Sequence, residues 1–205
     1  MGNMFLIVPL GLALTAPVLA YAACEKPAYS APFLQAIPTT GINQTLFSET
    51  LNLEASYVRC QKGRNLLSPS PKSGKVATAH SAWMARGAKL SHKGARGFKS
   101  RMRSTGLAFK TTAENIAAFD RFQFPKGQFK VRNAAACKFA TQAGASIAAH
   151  SYASLAAAVV QGWMGSTGHR KNLLNRRLKI SGGGLAFDRK APLCGRFYIT
   201  QNYLG

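Results

Sequence analysis

The chain has 205 residues with 27 Lys and Arg against six acids, a formal net charge of +21. That length suits one domain of ordinary size plus a targeting segment, and a hydrophobic fraction of 47% excludes a fold that depends on metals or a dense disulfide framework for its core. Such a charge directs the protein to anionic surfaces or polymers, by an attraction that fades with salt.

Residues 1 to 23 carry no charged side chain, and their apolar run ends in Ala20-Tyr21-Ala22, the small-x-small pattern of a signal-peptidase site. Residues 1–22 therefore read as a cleaved signal peptide, and Pro9 and Pro17 argue against a spanning helix. The competing reading makes Cys24 a lipidated first residue, against which Tyr21 is bulky for a lipidation box. Without a transmembrane helix in the mature chain, a secreted or periplasmic monomer is expected. Residues 23–43, with Pro27, Pro32 and Pro38, form an extended lead-in to a domain over 44–205. The cysteines Cys24, Cys60, Cys137 and Cys194 stand singly, which in an exported chain means two disulfides rather than a zinc knuckle. Three pairings are possible; the preferred one joins Cys24 to Cys60, tying the mature N-terminus to the first helix, and Cys137 to Cys194, tying an inserted segment to the final hairpin.

Phe47, Leu51, Ala55 and Val58 keep a helical rhythm that Gly63 stops. Leu66 to Lys75 reads as a loop, and a second helix from about Ser73 to Ala88 presents Val76, His80, Trp83 and Met84 on one side. On that apolar face His80 reads as a core residue. Between Arg86 and Arg103 seven cations occur with no acid, but no RNA- or DNA-binding motif accompanies them. Phe98 and Met102 suggest a short helix closed by Gly106, and Leu107–Phe109 and Ala113–Ala117 two short extended pieces. Glu114 is the only acid between Glu54 and Asp120; flanked by Ala and Ile in so basic a chain, it is expected to be partly buried with a cationic or hydrogen-bonding partner.

Residues 119–151 lack a clean period and read as an insertion whose Phe122, Phe124 and Phe129 need cover. Aromatics among cations can also stack nucleic-acid bases. Leu155, Val159 and Trp163 then mark a buried helix face that Gly165 and Gly168 break, which leaves His169 just past a helix end. Ile180 to Phe187 and Phe197 to Leu204 are strands, and Gly182-Gly183-Gly184 provides bare backbone for close approach by another element. Helices followed by antiparallel strands give an α+β sandwich.

Taken in order, A-T-A-H-S-A-W-M-A, L-S-H-K-G, A-E-N-I-A, V-V-Q-G-W-M-G-S-T-G-H-R-K-N-L-L, S-G-G-G-L-A and F-Y-I-T-Q-N-Y-L-G resemble the bacterial branch of the CAP superfamily, the SCP-like extracellular proteins. The resemblance runs from about Gln44 to the end, apart from the insertion. It implies a three-layer α-β-α sandwich with a mostly antiparallel central sheet and a cleft lined by two His and two acids, which in some members holds a divalent metal such as zinc. Carried over by motif, His92 and Glu114 match the first His and Glu, and His169 matches the His that follows the Trp in bacterial members. Ser166 stands where the plant and animal branch has a second Glu, and the insertion exceeds the usual spacing.

His92, His169 and Glu114 are residue types that suit zinc. Only three ligands and strongly positive surroundings lead to an expectation of weak binding or none. Ser166, Ser91, the two His and Glu114 also supply a hydrolase's residue types, yet no G-x-S-x-G elbow occurs. The first reading is therefore a non-enzymatic exported domain whose basic surface meets anionic envelope or extracellular material, lipid included. A metal-dependent hydrolase using His92, Glu114 and His169 is the alternative.

Overall fold

The computed structural model describes residues 24–205, so the signal-peptide reading of residues 1–22 lies outside the described residues. The lead-in contains a short helix, α1 (Ala31–Leu34), before α2 (Gln44–Gln61) starts where the Asn43 side chain accepts the Leu46 amide. Gly63, with φ of 61°, turns the chain after α2 as its sequence position suggests. Within the expected loop lies a two-residue strand, β1 (Ser68–Pro69). Helix α3 (Pro71–Arg86) begins before Ser73 because Ser70 caps it, accepting the Ser73 amide at 3.2 Å, and Pro71 occupies its first turn. After α4 (Phe98–Arg103) comes β2 (Thr112–Asp120). Of the two extended pieces expected around Lys110–Thr112 only the second is a strand: Ala113–Ala117 lies within β2, which its partner pairs from Thr112 to Asp120, whereas Leu107–Phe109 is irregular.

The insertion holds a hairpin of β3 (Phe129–Asn133) and β4 (Lys138–Thr141). Its aromatics cover one another: Phe124 stacks on Phe129 at 4.4 Å, and Phe139 meets Phe122 and Phe124 at 5.0 Å. Helix α5 (Tyr152–Gly165) opens on a capping box between Ser151 and Ser154, and α6 (Thr167–Leu173) follows directly after Ser166. Gly168 therefore lies inside a helix rather than breaking one. The chain ends in the hairpin β5 (Ile180–Asp188) and β6 (Arg196–Leu204).

The sheet order is β1-β5-β6-β2, antiparallel except for the parallel β1–β5 pair, so the sheet is mixed. On one face Phe47 and Leu51 of α2 and Leu155, Val159 and Trp163 of α5 pack against Leu185, Phe197, Ile199 and Tyr203. On the other, Met84 of α3 meets Ile116 and Tyr198. This is the α-β-α sandwich, and β6 is buried on both faces because it runs centrally. The three glycines of β5 alternate between layers: a Cβ at Gly182 or Gly184 would enter the α3 backbone, and one at Gly183 would press on Leu51 and Ser48 of α2. Both preferred disulfides, Cys24–Cys60 and Cys137–Cys194, are formed.

Arg59 is fully buried on α2 with no carboxylate partner among the described residues. It donates instead to the carbonyls of Asn65, Leu173, Asn175 and Leu178, so one cation gathers the chain on both sides of the turn after α6.

Burial holds His150 neutral, lowering its pKa from the ordinary 6.5 to about 4 against the opposing pull of Asp120. Above the ordinary value both the folded and unfolded chains carry this ring uncharged. As pH falls toward 4, the unfolded chain takes up a proton that the fold refuses, and stability drops on the order of 2 to 3 kcal/mol. Urea midpoints at pH 7 and pH 4.5 should therefore differ, and His150→Gln should narrow the difference. An unchanged difference in that variant would rule out this ring as a contributor.

Candidate functional site

Glu114 lies on β2, whose alternation sends it with Ile116 toward α3 while Asn115 faces α5 and Tyr203. Its side chain is only 2% exposed, and both oxygens are engaged. The Arg101 guanidinium donates Nη2 to Oε2 at 2.6 Å and to Oε1 at 2.8 Å, and His92 Nδ1 lies 3.0 Å from Oε1. The partner that a lone buried carboxylate requires is thus Arg101, on α4, with His92 beside it.

Arg101 also reaches backward. Nη1 donates to the carbonyls of His92 at 3.1 Å and Lys93 at 2.8 Å, which fastens the loop bearing His92 over the carboxylate. The loop's turn at Gly94 has φ of 61°, and a Cβ there would press on Arg101 and on His80. His80, read from the sequence as a core residue, is indeed buried, but at the site: its Nε2 lies 3.7 Å from Glu114 Oε1, too far for a hydrogen bond. Among the described residues neither of its ring nitrogens has a hydrogen-bond partner. Burial lowers its pKa, with Glu114 acting in the opposite direction, so the ring is neutral at pH 7.

His169 comes to the site's edge by another route. It lies in α6 rather than beyond a helix end, and its carbonyl accepts from Asn115 Nδ2 at 3.0 Å. Asn172 Nδ2 bonds Asn115 Oδ1 at 3.0 Å and the Glu114 carbonyl at 3.3 Å, so α6 is fastened to the strand that carries the acid. The His169 ring packs 6.4 Å from that of Trp163; burial first, then the neighbouring His92, lowers its pKa. Among the described residues His169 makes no ion pair with Glu114. Ser166 separates α5 from α6 and makes no capping bond, and Ser91 accepts the Lys93 amide. Among the described residues neither Ser91 nor Ser166 hydrogen-bonds the ring of His92 or His169.

The donor set also fits a metal poorly. No group of three or more His, Cys, Asp and Glu side chains able to hold an ion occurs among the described residues. Both carboxylate oxygens face a guanidinium, a fixed cation where a metal would need the same lone pairs. Two members of the cluster went unseen in the sequence. His80 shared a face with apolar residues, and Arg101 was one cation among seven; its signal was the partner that Glu114 lacked.

A profile of the Cysteine-rich secretory protein family, CAP, matches residues 55–203. Among solved structures, the fold is similar to an outer surface protein from Borrelia burgdorferi, at 16% identity and a TM-score of 0.52, over 83% of this chain and 98% of that one. It is similar also to a cysteine-rich secretory protein from Staphylococcus aureus, at 17% identity and 0.50, over 82% and 40%. An extracellular SCP-domain protein from Bacillus anthracis aligns at 22% identity and 0.48, over 77% and 40%. This chain thus spans 40% of the length of the Staphylococcus and Bacillus chains. No curated protein matches it in sequence.

Proposed function

The chain belongs to the Cysteine-rich secretory protein family, and on that premise we propose that it is a non-enzymatic exported domain that binds anionic envelope or extracellular material through its basic surface. What carries the reading is where the charges lie. Of the six acids, Glu54 and Glu114 are buried and Asp120 is paired with Arg196, whereas Arg59 alone among the Lys and Arg residues is fully buried. The surface that meets a partner is therefore almost wholly cationic. The secretory and outer-surface descriptions of the similar structures support an exported location. No helix among the described residues is long and apolar enough to cross a membrane.

The hydrolase alternative needs Glu114 as a free base, and its ion pair with Arg101 works against that. The test is retention of the protein on immobilised heparin and on phosphatidylglycerol vesicles over a salt series. Affinity should fall at least about tenfold between 50 mM and 500 mM salt. The His92→Ala/His169→Ala variant should bind within about twofold of the parent. Binding that ignores salt, or that vanishes in the double variant at unchanged near-UV circular dichroism, would overturn the reading.

A further inference from the structure

Behind the Glu114 cluster, between α3 and the segment from Ala95 to Ser104, lies a cavity of about 190 Å³. Its wall along α3 is apolar, made by Val76, Ala79 and the half-buried Trp83. Its other lining is cationic: Arg86, Arg96 and Arg101, with no acid among the lining residues. Arg86 and Arg96 are exposed and make no salt bridge among the described residues. His80 also lines it. That ring is 2% exposed and stacked on Trp83 at 5.8 Å, with Nε2 turned to Glu114 and Nδ1 to the Gly94 turn. Arg101 Nε is buried without an acceptor among the described residues.

A buried donor without a partner is uncommon, and Arg101 Nε at this cavity marks a place that a ligand atom or water completes. Apolar wall and cationic rim together specify a molecule of two parts. We propose that this cavity binds a small organic anion, whose planar or apolar body lies against Trp83 and Val76 while its carboxylate or phosphate group meets Arg86 and Arg96. The site is separate from the diffuse basic surface: it needs shape and an aromatic wall, where the surface needs only charge. It requires neither a metal nor a change in Glu114, whose Arg101 partner stays in place behind the ligand.

Calorimetric titration of the full chain with phenyl phosphate, benzoate, inorganic phosphate and benzyl alcohol tests this. Phenyl phosphate or benzoate should bind saturably at one site, and which binds more tightly identifies the acid group. Inorganic phosphate should bind at least about tenfold more weakly than phenyl phosphate, and benzyl alcohol should show no saturation. Arg96→Ala, an exposed position that leaves the core untouched, should weaken the better anion about tenfold, as should Trp83→Leu where its near-UV spectrum is native. Absence of saturable binding by both aromatic anions overturns the proposal. Equal binding of inorganic and phenyl phosphate, or an unchanged affinity in Arg96→Ala, does the same. Heparin retention separates the two readings: a chain that keeps heparin but not phenyl phosphate has the basic surface without this site, and the converse has the site alone.

Discussion

Gly184→Ala is expected to destabilise the fold by about 3 to 5 kcal/mol, beyond the roughly 1 to 3 kcal/mol typical of overpacking, although it adds one methyl group. The methyl would enter the backbone of α3 at Ala77 and Thr78, which no rotamer change can relieve. To make room α3 must rise from the sheet, breaking the bonds from Ser81 Oγ to the Gly184 carbonyl at 3.0 Å and to Thr200 Oγ1 at 2.9 Å. His80 and Trp83 would move with the helix, so the site and the neighbouring cavity should be lost together. Gly165→Ala is the control, because a Cβ there meets nothing within 4 Å, and it should change stability by less than about 1 kcal/mol. Urea denaturation followed by near-UV circular dichroism compares the two. A Gly184 variant within about 1 kcal/mol of the parent would show that α3 does not need bare backbone beneath it.

That close approach was readable in the sequence, because three consecutive glycines in a strand have no use unless something packs where side chains would be. The same holds for Leu155, Val159 and Trp163, whose spacing fixed the buried face of α5, and for Glu114, whose isolation among cations implied a partner. What could not be read were relations between distant segments. Nothing local distinguishes Arg101 from the cations around it; only the register of β2 and the placement of α4 bring it to the acid. Arg59 is a further case, since its acceptors are carbonyls, which every residue has. His80 reads as a core residue because it shares a helix face with Met84. It is buried there, but the face ends at a cavity and at Glu114, a fact set by the loop of residues 91–97 rather than by α3. The break at Gly165 is legible and the restart at Thr167 is not, because one residue, Ser166, separates two helices and the pair Gly165 and Gly168 carries no sign of the second.

Arg101→Ala should lower stability by about 3 kcal/mol, the low end for breaking a buried ion pair, since His92 still touches the carboxylate. For a chain of this size that corresponds to a fall in Tm of roughly 6 to 12 °C. The loss is larger than for an exposed pair because Glu114 is 2% and Arg101 10% exposed in their side chains, so neither charge has water to return to. The variant also frees the carbonyls of His92 and Lys93, and the loop above the carboxylate should exchange its amide hydrogens faster. Adding Glu114→Gln removes the orphaned charge, so Arg101→Ala/Glu114→Gln should be less destabilised than the sum of the two single changes by about 1 to 3 kcal/mol. Thermal and urea denaturation of the four proteins close the cycle. Strict additivity would mean that the pair contributes through packing alone, and Glu114 would then be held by His92 and the loop rather than by the cation. A positive coupling would establish that the buried charge of Glu114 is balanced from within the chain, by a residue thirteen positions before the acid.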